Sequence, residues 1–164
     1  MAASGDGASS AALNTAYALS QLFNGTTVLV DMDYQFGLIA KTLDLTAPFG
    51  TRELFEHPDR GLDDLLMQKM LVKYEENLSI ISSPNELRLM PSIRPEVIQD
   101  MLHILRAKYK YIVIELPHIW TDWTAAVLKN SDQIMLVGQL WLRSLTHATR
   151  MLTAWQAAGI DRSK

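Results

Sequence analysis

Four short runs of apolar, largely β-branched residues, separated by segments with helical spacing, constrain the fold of this chain more than any other feature. Their apolar character is continuous rather than alternating, which is typical of strands covered on both faces of a parallel sheet. We therefore predict an α/β fold with a mostly parallel sheet flanked by helices. The predicted strands, expected to be adjacent and buried, cover residues 26–32, 78–83, 110–116 and 133–139.

The segments between these runs place apolar residues three or four positions apart, as on one face of a helix. Pro95 suits the first turn of one such helix, and Gly159 suits the position just after the end of another. The sequence His-Pro-Asp at 57–59 predicts a turn. The predicted helices cover residues 9–23, 51–56, 60–74, 94–109, 121–131 and 143–159.

Length and composition limit the classes of protein to which the chain can belong. Its 164 residues predict a single domain, 1–164. The net charge of −3 argues against a surface that coats nucleic acid, and we expect no specific nucleic-acid partner. The absence of cysteine excludes disulfides and thiolate metal sites. No apolar run approaches the roughly 18–20 residues of a membrane span, so we expect a cytoplasmic protein.

Both ends of the sequence favour a fragment of a longer chain. A glycine-rich loop of the kind described next normally follows a buried strand, yet only three residues precede residues 4–7. The final segment, 159–164, follows a predicted helix and would ordinarily lead into another strand. We therefore expect the single domain to be truncated at both ends.

The stretch "SGDGASSAALN" at residues 4–14 has the form of a phosphate-binding loop that leads into a helix. Gly5 and Gly7 permit a tight turn, and the backbone N–H groups of such a loop and helix start bind anions. Ser9 is placed to reach a magnesium ion. The same residues also fit a simple glycine turn in which Ser9 or Ser10 caps the helix, so the loop alone leaves both interpretations open.

Acidic residues end two of the predicted strands. Asp31 and Asp33 lie at the end of the run at 26–32, and Glu115 lies at the end of the run at 110–116. Ligands bind outside the carboxyl ends of strands in open α/β sheets, so we expect the three carboxylates to gather at one edge, beside the glycine loop. A loop of this kind with two acid-terminated strands favours a nucleotide site in which a carboxylate holds magnesium.

The sequence resembles the MinD/ParA group of deviant Walker P-loop ATPases and, within it, the TadZ/CpaE pilus-assembly branch. "GASSAALN" at 7–14 resembles the group's "GKTTxAxN" helix start, and "VLVDMDYQFG" at 28–37 resembles its "VLLVDxDxQxG" segment. The stretch from "YIVIELPHIW" to "THATRML", residues 111–152, resembles the branch's Walker B strand, its Pro-His turn and the elements beyond. The resemblance runs through nearly the whole chain.

This resemblance implies a dimerising ATPase that binds ATP or ADP with Mg²⁺. It implies that Asp33 orients the attacking water, that Asp31 supports that water or the metal, and that Ser9, Glu115 and Asp31 serve the magnesium. It also implies a homodimer, pilus or secretion-machinery partners, and association with the cell pole or the inner face of the membrane. The residues implied to contact the nucleotide are Gly5, Asp6, Gly7, Ala8, Ser9 and Ser10.

Several positions depart from the pattern of the group. Its signature lysine corresponds to Ala3, its loop lysine to Ala8, and its Walker B aspartate to Glu115. Ser4 replaces a glycine and Asp6 a small or apolar residue. Without the two lysines we expect weak ATP hydrolysis at best. Two alternatives stay open: a pseudo-ATPase scaffold for protein contacts, and a ParA-type partitioning ATPase, which would need a basic DNA-binding surface and the signature lysine.

Overall fold

The computed structural model describes residues 5–22, 25–56, 61–87, 89, 93–161 and 164. Strands and helices alternate along most of the chain, which confirms the predicted α/β class. In chain order, the described elements are α1 (Ala8–Leu22), β1 (Thr27–Asp31), α2 (Ile39–Thr42), α3 (Arg52–Glu56), α4 (Asp64–Met70), β2 (Leu71–Glu75), β3 (Leu78–Ile81), α5 (Pro95–Lys108), β4 (Tyr111–Glu115), α6 (Asp122–Asn130) and α7 (Leu142–Ala157).

The four strands form one mixed, mostly parallel sheet with the order β2-β3-β1-β4. β1 is parallel to both β3 and β4, and its register places Asp31 opposite Glu115. β2 pairs antiparallel with β3 at the edge of the sheet. The predicted strands at 26–32, 78–83 and 110–116 are therefore confirmed as neighbours in a mostly parallel arrangement.

The sheet is covered on both faces, as the continuous apolar runs predict. Val28 and Val30 of β1 belong to a large core cluster that also contains residues of α4, α5, α6 and α7. Leu29, which points to the opposite face, packs in a smaller cluster with Ala16 of α1 and Ile39 of α2. Every residue of β1 is buried, because successive side chains alternate between these two clusters.

The prediction of a fourth buried strand at 133–139 is wrong. Only Val137 forms an isolated bridge there, and Met135 is 58% exposed. Among the described residues, no strand of the sheet pairs with this segment. An apolar run favours extended backbone, but a strand also needs a hydrogen-bonded neighbour.

The single helix predicted at 60–74 is also wrong, because this stretch contains the whole of α4 and most of β2. α4 begins after Asp63, whose side chain accepts a hydrogen bond from the Leu66 N–H, and it ends at Met70. The chain then continues as β2. A turn at 76–77 leads from β2 to β3, and these two strands pair antiparallel. The alternation of half-buried and exposed residues in β2 suits an edge strand better than a helix. The turn predicted at 57–59 lies outside the described residues.

The remaining predicted helices correspond to α1, α3, α5, α6 and α7, whereas the four-residue α2 was not predicted. Pro95 is the first residue of α5, as expected. Gly159 has a φ of +72° just after α7, and the Ile160 N–H reaches back to the Trp155 carbonyl. This is the glycine-terminated helix end that the sequence predicts. In the part of the chain that the structure describes, no helix combines the length and apolar character needed to cross a bilayer.

Candidate functional site

The glycine loop leads directly into α1. Gly5 and Gly7 have φ values of +84° and +92°, in the left-handed region where residues with a Cβ are strained. α1 begins at Ala8, and the Ala11 N–H donates to the Gly7 carbonyl. The loop geometry and the helix start therefore lie where the sequence placed them, and the first-turn N–H groups of α1 face this loop.

Asp31 ends β1 as a fully buried carboxylate with several donors around it. Its Oδ2 accepts from the Ser83 hydroxyl at 2.9 Å and from the Ile39 N–H at 3.4 Å. Its Oδ1 accepts from the Asp33 N–H at 3.1 Å. The chain after β1 thus folds back over Asp31 and fixes its orientation.

Gly37 makes this close approach feasible. A Cβ at this position would collide with the Ser83 hydroxyl and with both carboxylate oxygens of Asp31. Neither Gly37 nor Ser83 was predicted as a site residue. Two features of the sequence could have indicated them: Gly37 ends the segment after β1, and Ser83 follows the apolar run of β3.

Glu115 ends β4 beside Asp31 and is connected to the glycine-loop helix. The Ser9 hydroxyl donates to Glu115 Oε1 at 2.5 Å. Glu115 Oε2 is buried and has no hydrogen-bond partner among the described residues. Burial and the negative charge of Asp33 raise the pKa of Glu115, whereas the hydrogen bond from Ser9 opposes that rise.

Asp31 and Glu115 form an electrostatically coupled pair. Burial, followed by the charge of Glu115, raises the pKa of Asp31 to about 7, although the donors from Ser83, Asp33 and Ile39 oppose the rise. Two buried carboxylates so close together disfavour double ionisation unless a cation lies between or beside them. Asp31 is therefore suited to hold a proton near neutral pH, and the two carboxylates together are suited to a cation.

Asp33 lies just beyond the buried pair and is half-buried. Its Oδ1 accepts from the Phe36 N–H at 3.1 Å, which fixes the turn that carries it. The structure therefore brings Ser9, Asp31, Asp33 and Glu115 to one edge of the sheet.

Asp6 points into the protein rather than to solvent. It is only 7% exposed, and neither of its carboxylate oxygens has a hydrogen-bond partner among the described residues. A Cβ built on Gly138 would lie 3.9 Å from Asp6 Oδ2, so the segment before α7 closes over this side chain. The same segment is tied to the loop by Gln139, whose Nε2 donates to the Gly5 carbonyl. By contrast, Gly5, Gly7 and Ser10 are exposed.

Solved structures resemble this chain over almost its full length. A ParA family ATPase from Chlorobium tepidum TLS matches with a TM-score of 0.77 and 28% identity, covering 93% of this chain and 64% of the other. The septum site-determining protein MinD from Pyrococcus horikoshii OT3, solved with Mg-ADP, matches with a TM-score of 0.71 and 16% identity. This match covers 97% of this chain and 63% of the MinD chain. A plasmid partition protein from Borrelia burgdorferi matches with a TM-score of 0.71 and 20% identity. This match covers 92% of this chain and 67% of the other.

The chain has a MinD/ParA-like P-loop NTPase fold. It spans less than two thirds of the length of the ParA family ATPase and of the MinD protein. No protein-family model matches the sequence, and no curated protein matches it significantly.

The side chains at this edge of the sheet are of the kind that magnesium prefers. Ser9, Asp31 and Glu115 offer oxygen ligands, and Glu115 Oε2 is a buried oxygen that no described residue satisfies. The described ranges contain no group of three or more His, Asp or Glu side chains that could hold a metal ion by themselves. This agrees with the usual manner of magnesium binding, in which one or two carboxylates act together with substrate phosphates and water.

Proposed function

We propose that this chain is a MinD/ParA-like ATPase domain that binds ATP or ADP with Mg²⁺ at residues 5–10 and hydrolyses ATP slowly. The observation that carries the proposal is the hydrogen bond from Ser9 to Glu115, which joins the first turn of α1 to the carboxyl end of β4. Asp31 lies in register with Glu115 on the neighbouring strand. A hydroxyl and two carboxylates thus meet beside a glycine loop.

Phosphate binding in this proposal depends on the backbone. The N–H groups of the loop and of the first turn of α1 are donors, and the helix dipole favours an anion at this end. α1 has no acidic residue in its first turn that would compete with phosphate. Because Ala8 replaces a lysine, the positive charge that side chain would supply is missing, and Mg²⁺ bound by Ser9, Glu115 and Asp31 would neutralise part of the phosphate charge.

Hydrolysis would depend on Asp33, which is half-buried at the mouth of the site and is assigned to orient the attacking water. Phosphoryl transfer is accelerated chiefly by groups that stabilise charge in the transition state. Neither Ala3 nor Ala8 supplies a cation for that purpose. Slow turnover is therefore expected even when nucleotide binds well.

The wider biological role in this proposal comes from the sequence resemblance, chiefly at residues 111–152. We assign the domain to the TadZ/CpaE pilus-assembly branch, with nucleotide state governing homodimerisation and recruitment of pilus or secretion-machinery proteins. In that role the protein acts in the cytoplasm, at the cell pole or the inner face of the membrane.

A second candidate function is a pseudo-ATPase scaffold, and the buried Asp6 carboxylate within the loop favours it. The negative charge of Asp6 opposes phosphate binding at the loop unless a proton or a cation neutralises it. A ParA-type partitioning ATPase is a weaker alternative, because the net charge of −3 and Ala3 offer neither a basic surface nor the signature lysine.

Titration of the purified chain with a fluorescent ATP analogue, with and without Mg²⁺, tests the proposal. We expect saturable binding that Mg²⁺ strengthens and that Ser9→Ala or Glu115→Ala weakens. Thr149→Ala, on the exposed side of α7, is the matched control and should bind like the unmodified chain. No binding under any condition would favour the scaffold. Binding with the same affinity with and without Mg²⁺, and in Ser9→Ala, would contradict the assigned site.

A further inference from the structure

The Asp6 carboxylate is buried without a protein partner. Its side chain is 7% exposed, and both of its oxygens are shielded from solvent without a donor among the described residues. Buried charges in proteins are ordinarily paired with an opposite charge or coordinate a metal ion. No described residue donates a hydrogen bond to the Asp6 carboxylate, which leaves its charge without a protein partner.

A second unpartnered polar group lies at the same place. Ser144, in the first turn of α7, is 4% exposed, and its hydroxyl is buried with no hydrogen-bond partner among the described residues. A Cβ built on Gly138 would lie 3.7 Å from Ser144 Cβ and 3.9 Å from Asp6 Oδ2. Two buried polar groups that both lack partners thus lie beside Gly138.

We propose that Asp6 and Ser144, which lie beside Gly138, bind a monovalent cation such as potassium, which also supplies positive charge to the glycine loop. The ligands are oxygens, as alkali metal ions require. A single carboxylate balances a single positive charge, so the two groups suit a monovalent ion.

The position of the site gives the cation a role in the loop. Asp6 stands between Gly5 and Gly7, whose backbone approaches the proposed phosphate position. An unneutralised carboxylate there repels phosphate, whereas a bound cation removes the repulsion. The cation therefore partly replaces the lysine that is absent at Ala8. This role rests on the proposed nucleotide binding, but the cation site itself does not.

The first experiment measures cation binding without nucleotide. Thermal unfolding is followed at constant ionic strength in potassium chloride and in N-methylglucamine chloride. We expect potassium to raise the Tm by about 2–5 °C. Asp6→Asn should abolish this difference, and Ser144→Ala should reduce it. Asp100→Asn, which removes an exposed carboxylate on α5, should leave it unchanged.

Crystals soaked in a thallous salt give an independent measurement, since Tl⁺ substitutes for potassium and scatters anomalously. A peak within coordination distance of Asp6 supports the site. The inference is overturned if potassium has no effect on the Tm, if its effect survives in Asp6→Asn, or if no thallium peak lies at Asp6. Should Asp6→Asn fail to fold, Ser144→Ala and the thallium map decide the question.

The second experiment separates this inference from the proposed function. Affinity for the fluorescent ATP analogue with Mg²⁺ is compared in the two salts, and we expect it to fall about tenfold without potassium. If potassium binds but the nucleotide does not, the cation site stands and the proposed function fails. If the nucleotide binds equally in both salts, the proposed function stands and the role of the cation in the loop is overturned.

Discussion

Asp31 and Glu115 lie opposite each other in register, at the carboxyl ends of the adjacent parallel strands β1 and β4. Both are buried, although β1 is buried throughout and the other residues of β4 are half-buried. Because burial disfavours ionisation of both groups and their charges repel, the pair retains protons at a pH where exposed carboxylates have lost theirs. This relationship makes the stability of the domain sensitive to pH and to cations.

The raised pKa of Asp31 predicts the sign of a pH effect on stability. Since its pKa is about 7 in the folded protein and near 3.8 when unfolded, the folded state binds the proton more tightly. The contribution of Asp31 is therefore fully present below about pH 4 and is lost as pH rises to about 7. Relative to Asp31→Asn, the unmodified chain should lose up to about 4 kcal/mol of unfolding free energy across this interval.

Chemical denaturation at pH 4, 5.5, 7 and 8 measures this difference. Asp100→Asn is the control, because its carboxylate is exposed on α5 and the variant should follow the pH dependence of the unmodified chain. A difference between the unmodified chain and Asp31→Asn that is constant across the range would show that Asp31 does not titrate there.

Gly37→Ala tests whether the segment after β1 must approach Asp31 as closely as the structure shows. The added Cβ would collide with the Ser83 hydroxyl and the Asp31 carboxylate, so we expect a loss of about 1–3 kcal/mol in unfolding free energy. Urea unfolding provides the measurement. Thr149→Ala, which truncates an exposed side chain of α7, is the control and should unfold like the unmodified chain. Equal stability of the two variants would argue against the close approach.

Asp33→Asn separates the proposed chemical role of this carboxylate from its structural role. Asparagine retains an oxygen that can accept from the Phe36 N–H, but it carries no charge with which to orient a water molecule. We expect ATP turnover to fall at least about tenfold, while affinity for the ATP analogue with Mg²⁺ changes by less than about threefold. Steady-state phosphate release and fluorescence titration measure the two quantities. Turnover that survives both Asp33→Asn and Asp33→Ala would rule out the assigned role.

Ala8→Lys should strengthen nucleotide binding more than it accelerates hydrolysis. A lysine at the first position of α1 would contact phosphate already in the ground state, and such a contact contributes about 1.5 kcal/mol or more, a tenfold gain in affinity. Acceleration requires interactions that strengthen only in the transition state.

The double variant Ala3→Lys, Ala8→Lys extends this test. In the resemblance to the MinD/ParA group, position 3 carries the lysine that crosses the dimer, so turnover should rise beyond that of Ala8→Lys if the protein dimerises with its loops facing each other. Single-turnover ATP hydrolysis at several protein concentrations provides the measurement. Equal turnover of the single and double variants would contradict facing loops.

The sequence by itself determined the α/β class, three of the sheet strands and most of the helices. Continuous apolar runs such as 26–32 can be stable only when both faces are covered, and this requirement holds wherever the run lies in space. The acids Asp31 and Glu115 were found for a similar reason. Each directly ends such a run, and the carboxyl ends of adjacent parallel strands meet at one edge.

The tertiary structure alone decided which segments pair and which polar groups are buried. The segment 133–139 is apolar enough for a strand but has no strand beside it among the described residues, whereas 71–75 became a strand because β3 offers it a partner. Likewise, Ser83 and Gly37 acquire their importance only where the chain closes over Asp31. Asp6 is buried beside Gly138, which is more than 130 positions away. Hydrogen-bond pairing and burial depend on neighbours distant in sequence, and local residue patterns do not encode those neighbours.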